Sequence, residues 1–301
     1  MFFLPHSNTS DVLRVLEQAV KLHQIVPLVG CASTGKTWLL TYLATQFWQR
    51  ERKTEHLPPR IVYAELYKPR GSQGANDVAS PIARVTFAEI TLGLAQVSRQ
   101  YDSRTVHESR VWYRKDRWES ADKQFTLIFP FVRDELKRLN IDALVIDNAE
   151  LLDTFTIERL RQVREFQQQR LAFILCARID KPKELNPTLA ETLPKVFDTL
   201  EIEQPLELAR LKPEEAMSSV LLEIMAEQKI TFSPDLDVDT LGRMREQFYQ
   251  DTQGDWKSIA VRQRRMRSLF GDSAGRVRFL NQEAWEQIMG RSLPQCSLKE
   301  S

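Results

Sequence analysis

The sequence predicts an α/β fold with a parallel sheet flanked by helices, followed by a smaller helical subdomain. Three observations carry this prediction. Short apolar segments alternate with amphipathic ones up to about residue 205, a glycine-bounded loop joins the first apolar segment to a helix, and only helical patterns follow. Strands separated by helices form parallel sheets that are covered on both faces. We therefore expect an α/β domain at residues 1–205, with an insertion at about 67–120, and a helical subdomain at residues 206–301.

The first half of the α/β domain is predicted from hydrophobic spacing and capping residues. Residues 10–23 place Leu13, Leu16 and Val20 on one helical face, and Ser80-Pro81 is a pair that typically begins a helix. These patterns indicate strands at residues 25–29 and 60–66, and helices at residues 10–23, 36–50 and 80–97.

The second half repeats this alternation. Residues 123–140 are predicted to be helical, with Pro130 either kinking the helix or marking its start. Apolar runs and their spacing indicate strands at residues 143–147, 171–175 and 199–202, with a helix at residues 154–170 between the first two.

Composition and charge argue against a generally basic nucleic-acid-binding protein, a membrane protein and a cysteine-based metal site. The chain has 42 Lys and Arg against 41 Asp and Glu, so no overall field attracts polyanions and any nucleic-acid site must be a local patch. No segment approaches the roughly 18 apolar residues of a membrane span, and the N-terminus lacks the basic region of a signal peptide, so we expect a cytoplasmic protein. Cys31, Cys176 and Cys296 form no closely spaced pair and predict no metal framework.

The segment GCASTGKT, from Gly30 to Thr37, fits the phosphate-loop pattern G-x-x-x-x-G-K-[ST]. The glycines let successive amides point at phosphates, and the N-terminus of the next helix adds partial positive charge. We expect Lys36 to reach the β- and γ-phosphates of ATP and the Thr37 hydroxyl to bind Mg²⁺. The residues expected to contact the nucleotide are Gly30, Ser33, Thr34, Gly35, Lys36, Thr37 and Trp38.

Asp147 is the natural second half of this site. It ends the apolar run ALVID, and a strand that ends in a carboxylate can place it beside the phosphate loop, where it holds Mg²⁺. We therefore expect Thr37 and Asp147 to share the metal.

The residue after Asp147 is Asn148, where ATP-hydrolysing enzymes usually carry a carboxylate, and Glu150 lies two residues further on. If the chain stays extended, Glu150 lies on the side to which Asn148 points and could polarise the attacking water. If a helical turn begins at Ala149, the two side chains diverge by roughly 200° and Asn148 alone faces the γ-phosphate. Glu150 could also simply cap the next segment. These alternatives stay open, and we expect slow hydrolysis.

The chain resembles the AAA+ ATPases, and within them the TnsC-like transposition regulators. The resemblance covers roughly residues 10–290. It rests on an ordered series of segments: GCASTGKT, LVIDNAE, LAFILCARID, LPKVFDTLEI, PLELARLKPEE and GDSAGRVRFLNQ.

The resemblance implies roles for residues outside the two motifs. Arg276 is the expected second sensor, a lid arginine that reaches the γ-phosphate. Arg178 is the strong donor available for the first sensor. Lys195 stands where an arginine finger is expected, and because lysine lacks the bidentate fork of arginine, we expect weaker stabilisation of the transferred phosphate.

Two groups of basic residues are candidates for DNA contact. Residues 101–118 interleave cations with tryptophan and tyrosine, which suits phosphate neutralisation with stacking, although acidic residues dilute the charge. The second group follows the strand at residues 60–66 and, by the resemblance, lies near the pore of an assembly. The candidates are Lys68, Arg70, Arg110, Arg114, Lys115 and Arg117. A further basic segment, residues 256–271, could place Arg264, Arg267 and Lys257 on one helical stripe.

These observations predict an ATP-dependent assembly switch. By the resemblance, ATP bound between copies of the chain ties them into a ring or helical filament on double-stranded DNA, and the assembly recruits a transposase and a target-selection protein. Two other readings stay open. One is a STAND-type signalling ATPase that oligomerises without DNA, and the other is a replication initiator or helicase loader.

Overall fold

A computed structural model describes residues 7–44, 60–67, 80–98, 121–178, 205–271 and 277–290. The chain divides into two compact units. Asn8–Ala32 and Lys36–Leu208 form an α/β unit, and Ala209 onward, together with Ser33–Gly35, forms a helical unit. The division lies after Leu208 and not at the predicted residue 205, because the short strand Leu206–Glu207 belongs to the sheet.

The described part of the α/β unit has a five-stranded sheet in the order β2-β3-β4-β1-β5, and each neighbouring pair is parallel. The predicted α/β fold with a parallel sheet is therefore confirmed. The strands are β1 (Ile25–Gly30), β2 (Ile61–Glu65), β3 (Ala143–Asp147), β4 (Ala172–Arg178) and β5 (Leu206–Glu207). The strand predicted at residues 199–202 lies outside the described residues.

Helices flank this sheet. They are α1 (Ser7–Lys21), α2 (Lys36–Tyr42), α3 (Pro81–Ser98), α4 (Ala121–Arg138) and α5 (Thr154–Phe166). Pro130 lies inside α4 and does not mark its start. Asp153 caps α5, because its side chain accepts from the backbone NH of Thr156 at 2.8 Å.

Strand alternation gives the sheet two different faces. Val62, Leu144 and Phe173 belong to the main core, which also contains buried residues of α3, α4 and α5. Successive side chains of a strand point to opposite faces, so the neighbouring residues Tyr63 and Val145 lie on the other face. All five residues of β3 are buried, which explains why ALVID reads as a continuous apolar run with no alternation.

The helical unit is built from a π-helical segment (Glu215–Val220), α6 (Leu221–Glu227), α7 (Val238–Thr252), α8 (Trp256–Phe270) and α9 (Gln282–Met289). It also contains two parallel strands, β6 (Ile230–Phe232) and β7 (Arg278–Leu280). The prediction that only helices are found from residue 211 onward is therefore wrong. Each strand of this pair has three residues, too few for an alternation of period two to be recognised.

The centre of the helical unit is Trp285, whose side chain is fully buried. Its indole NH donates to Gln247 Oε1 at 3.0 Å, so the ring is buried without losing a hydrogen bond. None of the helices in the described ranges is long and apolar enough to cross a membrane.

Candidate nucleotide-binding site

The phosphate loop starts at the carboxyl end of β1 and leads directly into α2. Gly30 is the last residue of β1, and Lys36 is the first residue of α2. Gly35 has a φ of 92°, a backbone conformation that residues other than glycine rarely adopt, and Ser33 has a φ of 60°. Positive φ values at two positions curl the backbone tightly between strand and helix, as a phosphate-binding loop requires.

Lys36 lies under this loop and is almost completely buried, with 8% of its surface exposed. Its ammonium donates to the carbonyl oxygens of Gly30 at 2.7 Å and of Cys31 at 2.6 Å. Burial lowers the pKa of Lys36, and the nearby charges of Asp147 and Glu150 oppose that shift. The ammonium is thus held by two backbone carbonyl oxygens and feels the charge of two carboxylates.

Asp147 is the last residue of β3 and is 2% exposed. Its Oδ2 accepts hydrogen bonds from the Thr37 hydroxyl at 2.5 Å and from the Tyr63 hydroxyl at 3.1 Å. Its Oδ1 accepts from the backbone NH of Asn148 at 2.9 Å. The structure therefore brings together the two residues that the sequence predicted to share a metal, although they lie far apart in the chain.

The oxygens of Thr37 and Asp147 suit Mg²⁺. Mg²⁺ prefers hard oxygen ligands and is usually held by one or two protein groups, with phosphates and water completing the octahedron. A hydroxyl and a carboxylate oxygen 2.5 Å apart, at the start of α2 and at the end of β3, provide such a pair. When bound, Mg²⁺ would neutralise negative charge on the phosphates.

The turn after Asp147 decides where Asn148 and Glu150 point. A 3₁₀ turn covers Ala149–Leu151, so the chain does not stay extended. Asn148 itself is left-handed, with φ 58° and ψ 39°. Its side-chain amide donates to the carbonyl oxygen of Leu66 at 2.8 Å, which directs it towards β2.

Glu150 points the other way, towards β4. Its Oε2 accepts from the backbone NH of Arg178 at 3.0 Å, and Arg178 lies opposite Gly30 in the register of β4 and β1. The Glu150 carboxylate is therefore near the start of the phosphate loop, and its charge acts on Lys36. The turn that begins at Ala149 makes the two side chains diverge, as the second alternative expects, and the Asn148 amide is bonded to Leu66 at the end of β2.

Two residues of this site were not anticipated from the sequence. Tyr63 donates to Asp147, and Leu66 offers the carbonyl that Asn148 binds. Burial, together with the charge of Asp147, raises the pKa of Tyr63 well above its usual range, so its hydroxyl stays protonated and acts as a donor. The available signal was the short apolar run in RIVYAEL, but it does not reveal which strand lies beside β3.

Cys176 and Arg178 occupy the end of β4. Cys176 lies directly opposite Asp147 in the sheet, and burial raises the pKa of its thiol, which stays protonated. Arg178 is exposed at the carboxyl end of β4, opposite Gly30, where the phosphate loop begins. Its role as first sensor stays a prediction.

Several predicted site residues lie outside the described residues. They are Lys195, Arg276, Lys68, Arg70, Arg110, Arg114, Lys115 and Arg117. The basic segment at residues 256–271 is described, and it forms α8. There Arg267 pairs with Glu227 at 2.7 Å and Arg265 donates to the Ile288 carbonyl at 3.1 Å, so these two cations make contacts within the helical unit.

Comparison with known proteins assigns the fold to a family. A family model described as an AAA domain matches residues 20–181, more than half of the 301 residues. A search among curated proteins gives no significant match. The Walker-type ATPase paby2304 of Pyrococcus abyssi is similar with a TM-score of 0.50 and 15% identity, over 89% of this chain and 69% of that chain. The ORC2 protein of Aeropyrum pernix, in ADPNP-ADP complexes, is similar with a TM-score of 0.55 and 13% identity, over 97% of this chain and 69% of that chain.

The identities of 15% and 13% to these two structures show a shared fold only. The family model, in contrast, extends over the phosphate loop, Asp147 and the end of β4. The same segment contains Lys36, Thr37 and Glu150, which meet around the carboxyl edge of the sheet. The chain belongs to the AAA family of ATPases.

Proposed function

We propose that this protein is an ATP-dependent assembly switch of the TnsC-like transposition regulator type. ATP with Mg²⁺ binds at the phosphate loop and ties copies of the chain into a ring or filament on double-stranded DNA. Hydrolysis of the ATP then dissolves the assembly. The assembly recruits a transposase and a target-selection protein. The resemblance of the ordered segments described above supports this specific reading.

The observation that carries the nucleotide part of the proposal is the convergence of Lys36, Thr37 and Asp147. The Thr37 hydroxyl and the Asp147 carboxylate are in direct contact, and Lys36 lies within range of the Asp147 charge. A buried cation beside a carboxylate and hydroxyl pair provides one group for the phosphates and two oxygens for the metal.

Glu150 is the carboxylate that we assign to the attacking water. It is directed towards the strand that neighbours the start of the phosphate loop, whereas the Asn148 amide is occupied by the Leu66 carbonyl. A carboxylate can accept a proton from water and an amide cannot. The bond from the Arg178 backbone NH to Oε2 orients the Glu150 carboxylate, and a carboxylate has further acceptor sites for a water.

The fold likeness to the Aeropyrum pernix ORC2 protein favours one alternative, a replication-initiator type of AAA ATPase. The match covers 97% of this chain and therefore extends beyond the nucleotide-binding segment. Both readings share the ATPase site and differ in the partner that the ATP-bound form recruits.

Electron microscopy of the purified protein with duplex DNA tests the proposal. We expect rings or filaments with ATP or a non-hydrolysable analogue, and their absence with ADP. Addition of a cognate transposase should then give co-assembly on the DNA. ATP binding without assembly on DNA would contradict the assembly switch, and assembly that retains a replicative helicase but no transposase would favour the initiator reading.

A further inference from the structure

Tyr63 lies one diagonal position from Asp147 on the same face of the sheet. In the register of β2 and β3, Tyr63 is opposite Val145 and Glu65 is opposite Asp147. Residues two apart in a strand share a face, so Tyr63, Glu65 and Asp147 point to the same side. The long tyrosine side chain spans the diagonal, and its hydroxyl reaches Asp147 Oδ2 at 3.1 Å.

The Asp147 carboxylate accepts hydrogen bonds from Thr37, Tyr63 and the Asn148 backbone NH, and the Cys176 thiol on the neighbouring strand is a further donor beside it. Thr37 comes from α2, Tyr63 comes from β2, and the Asn148 backbone NH follows Asp147 itself. Thr37 is itself an expected metal ligand. The Asn148 NH binds Oδ1, whereas Thr37 and Tyr63 bind Oδ2. Of the two hydroxyl groups that bind Asp147, Tyr63 is therefore the one that is not expected to touch metal or phosphate.

The backbone of β2 is fixed where Tyr63 lies. On α3, a Cβ placed on Gly93 would come within 2.7 Å of the Tyr63 carbonyl oxygen and of Val62 Cγ1, so the helix lies directly against the strand. At the end of β2, the NH of Leu66 donates to the Asp147 carbonyl oxygen at 3.0 Å. Close packing and this bond fix the register, and the register delivers the hydroxyl to the carboxylate.

We propose that Tyr63 is a positioning residue that orients Asp147 for Mg²⁺ and thereby sets how strongly magnesium supports nucleotide binding. This inference rests on the proposed function as a magnesium-dependent ATPase. Groups that orient a metal ligand typically change metal affinity by about 10- to 100-fold when they are removed.

The test is the substitution Tyr63→Phe, which removes one hydroxyl and keeps the ring. Binding of a fluorescent ADP analogue is measured by anisotropy as MgCl₂ is increased, and binding of Mn²⁺ in the presence of ADP is measured by electron paramagnetic resonance. We expect the magnesium concentration for half-maximal enhancement to rise about 10-fold and Mn²⁺ affinity to fall by a similar factor. Nucleotide affinity in EDTA should stay unchanged.

Tyr249→Phe is the matched control, because it makes the same chemical change, the loss of one tyrosine hydroxyl, at a residue that packs against the core of the helical unit. It should leave the magnesium curve unchanged. An unchanged magnesium curve in Tyr63→Phe, with normal binding by the wild type, would overturn the inference alone. An equal loss of affinity with and without magnesium would also overturn it, because that result indicates a structural role. A wild-type protein that binds no nucleotide at any magnesium concentration would instead overturn the proposed function itself.

Discussion

The phosphate loop and the junction between β2 and β3 differ in how far apart their partners lie in the sequence. Within the loop, Lys36 binds the carbonyl oxygens of Gly30 and Cys31, six and five residues away. At the junction, Tyr63 binds Asp147 and Asn148 binds Leu66 across 84 and 82 residues. The first region is encoded in one short motif, whereas the second exists only because the sheet places β2 beside β3.

This difference has a functional consequence. The loop supplies the groups that are expected to face phosphate, and the junction decides where the amide and the carboxylate after β3 point. Affinity for nucleotide without metal should therefore depend mainly on the local motif. The effect of magnesium on that affinity and the rate of hydrolysis should depend mainly on the long-range contacts.

The largest expected effect comes from Lys36→Ala in the loop. Charge-assisted hydrogen bonds contribute roughly 1.5–3 kcal/mol each, so losing contacts to two phosphates should weaken ATP binding by at least roughly 100-fold and abolish assembly. Isothermal titration calorimetry with Mg-ATP measures the affinity. Lys21→Ala is the control, because this lysine is an exposed residue of α1 paired with Glu17. Retained binding in Lys36→Ala would mean that the loop does not hold the triphosphate.

Glu150→Gln should have the next largest effect, and on rate instead of affinity. The amide oxygen of the introduced glutamine can still accept from the Arg178 NH, so the turn should keep its shape while the proton acceptor is lost. We expect turnover to fall roughly 100- to 1000-fold with nucleotide affinity retained, and the assembled form to persist. Single-turnover phosphate release measures the rate.

The control for this change is Glu158→Gln on α5, whose carboxylate makes a surface pair with Arg161. If turnover in Glu150→Gln equals that of this control, Glu150 is not the acceptor, and the carboxylate that activates water must be found elsewhere.

Asn148 variants should separate backbone strain from the contact with Leu66. Asn148→Gly loses the hydrogen bond but suits the left-handed backbone, so it should destabilise the α/β unit by about 1 kcal/mol. Asn148→Val adds a β-branched residue in that conformation and should cost about 1–3 kcal/mol more. Urea unfolding followed by circular dichroism measures the difference. Equal stabilities of the two variants would contradict the left-handed conformation.

The smallest effects are expected at purely local contacts, the helix caps Asp153 and Asp237. The Asp153 Oδ1 accepts from both the NH and the hydroxyl of Thr156, which is fully buried. Asp153→Ala should cost about 1 kcal/mol in unfolding free energy, measured as above, and leave nucleotide affinity unchanged. Asp237→Ala, at the exposed cap of α7, should cost less because water can replace the lost bonds to Thr240. A loss of nucleotide affinity in Asp153→Ala would show that the loop and the junction are not energetically separate.

Much of the site was predictable because its signals are local. The loop from Gly30 to Thr37 is a contiguous pattern, and a strand ending at Asp147 follows from an apolar run with one carboxylate at its end. The short strands β5, β6 and β7 were missed, since two or three residues give no periodic signal. Their existence depends on partners that the sequence does not identify.

The sequence by itself determined that a phosphate loop, a strand ending in aspartate and an α/β alternation are present, because each depends on residues close together in the chain. Tertiary structure alone decided that Tyr63 supports Asp147, that Asn148 turns towards β2 and that Glu150 turns towards β4. The physical reason is that these directions are set by strand order, by register and by one left-handed residue. A shift of the register by one residue would move Tyr63 to the opposite face of the sheet.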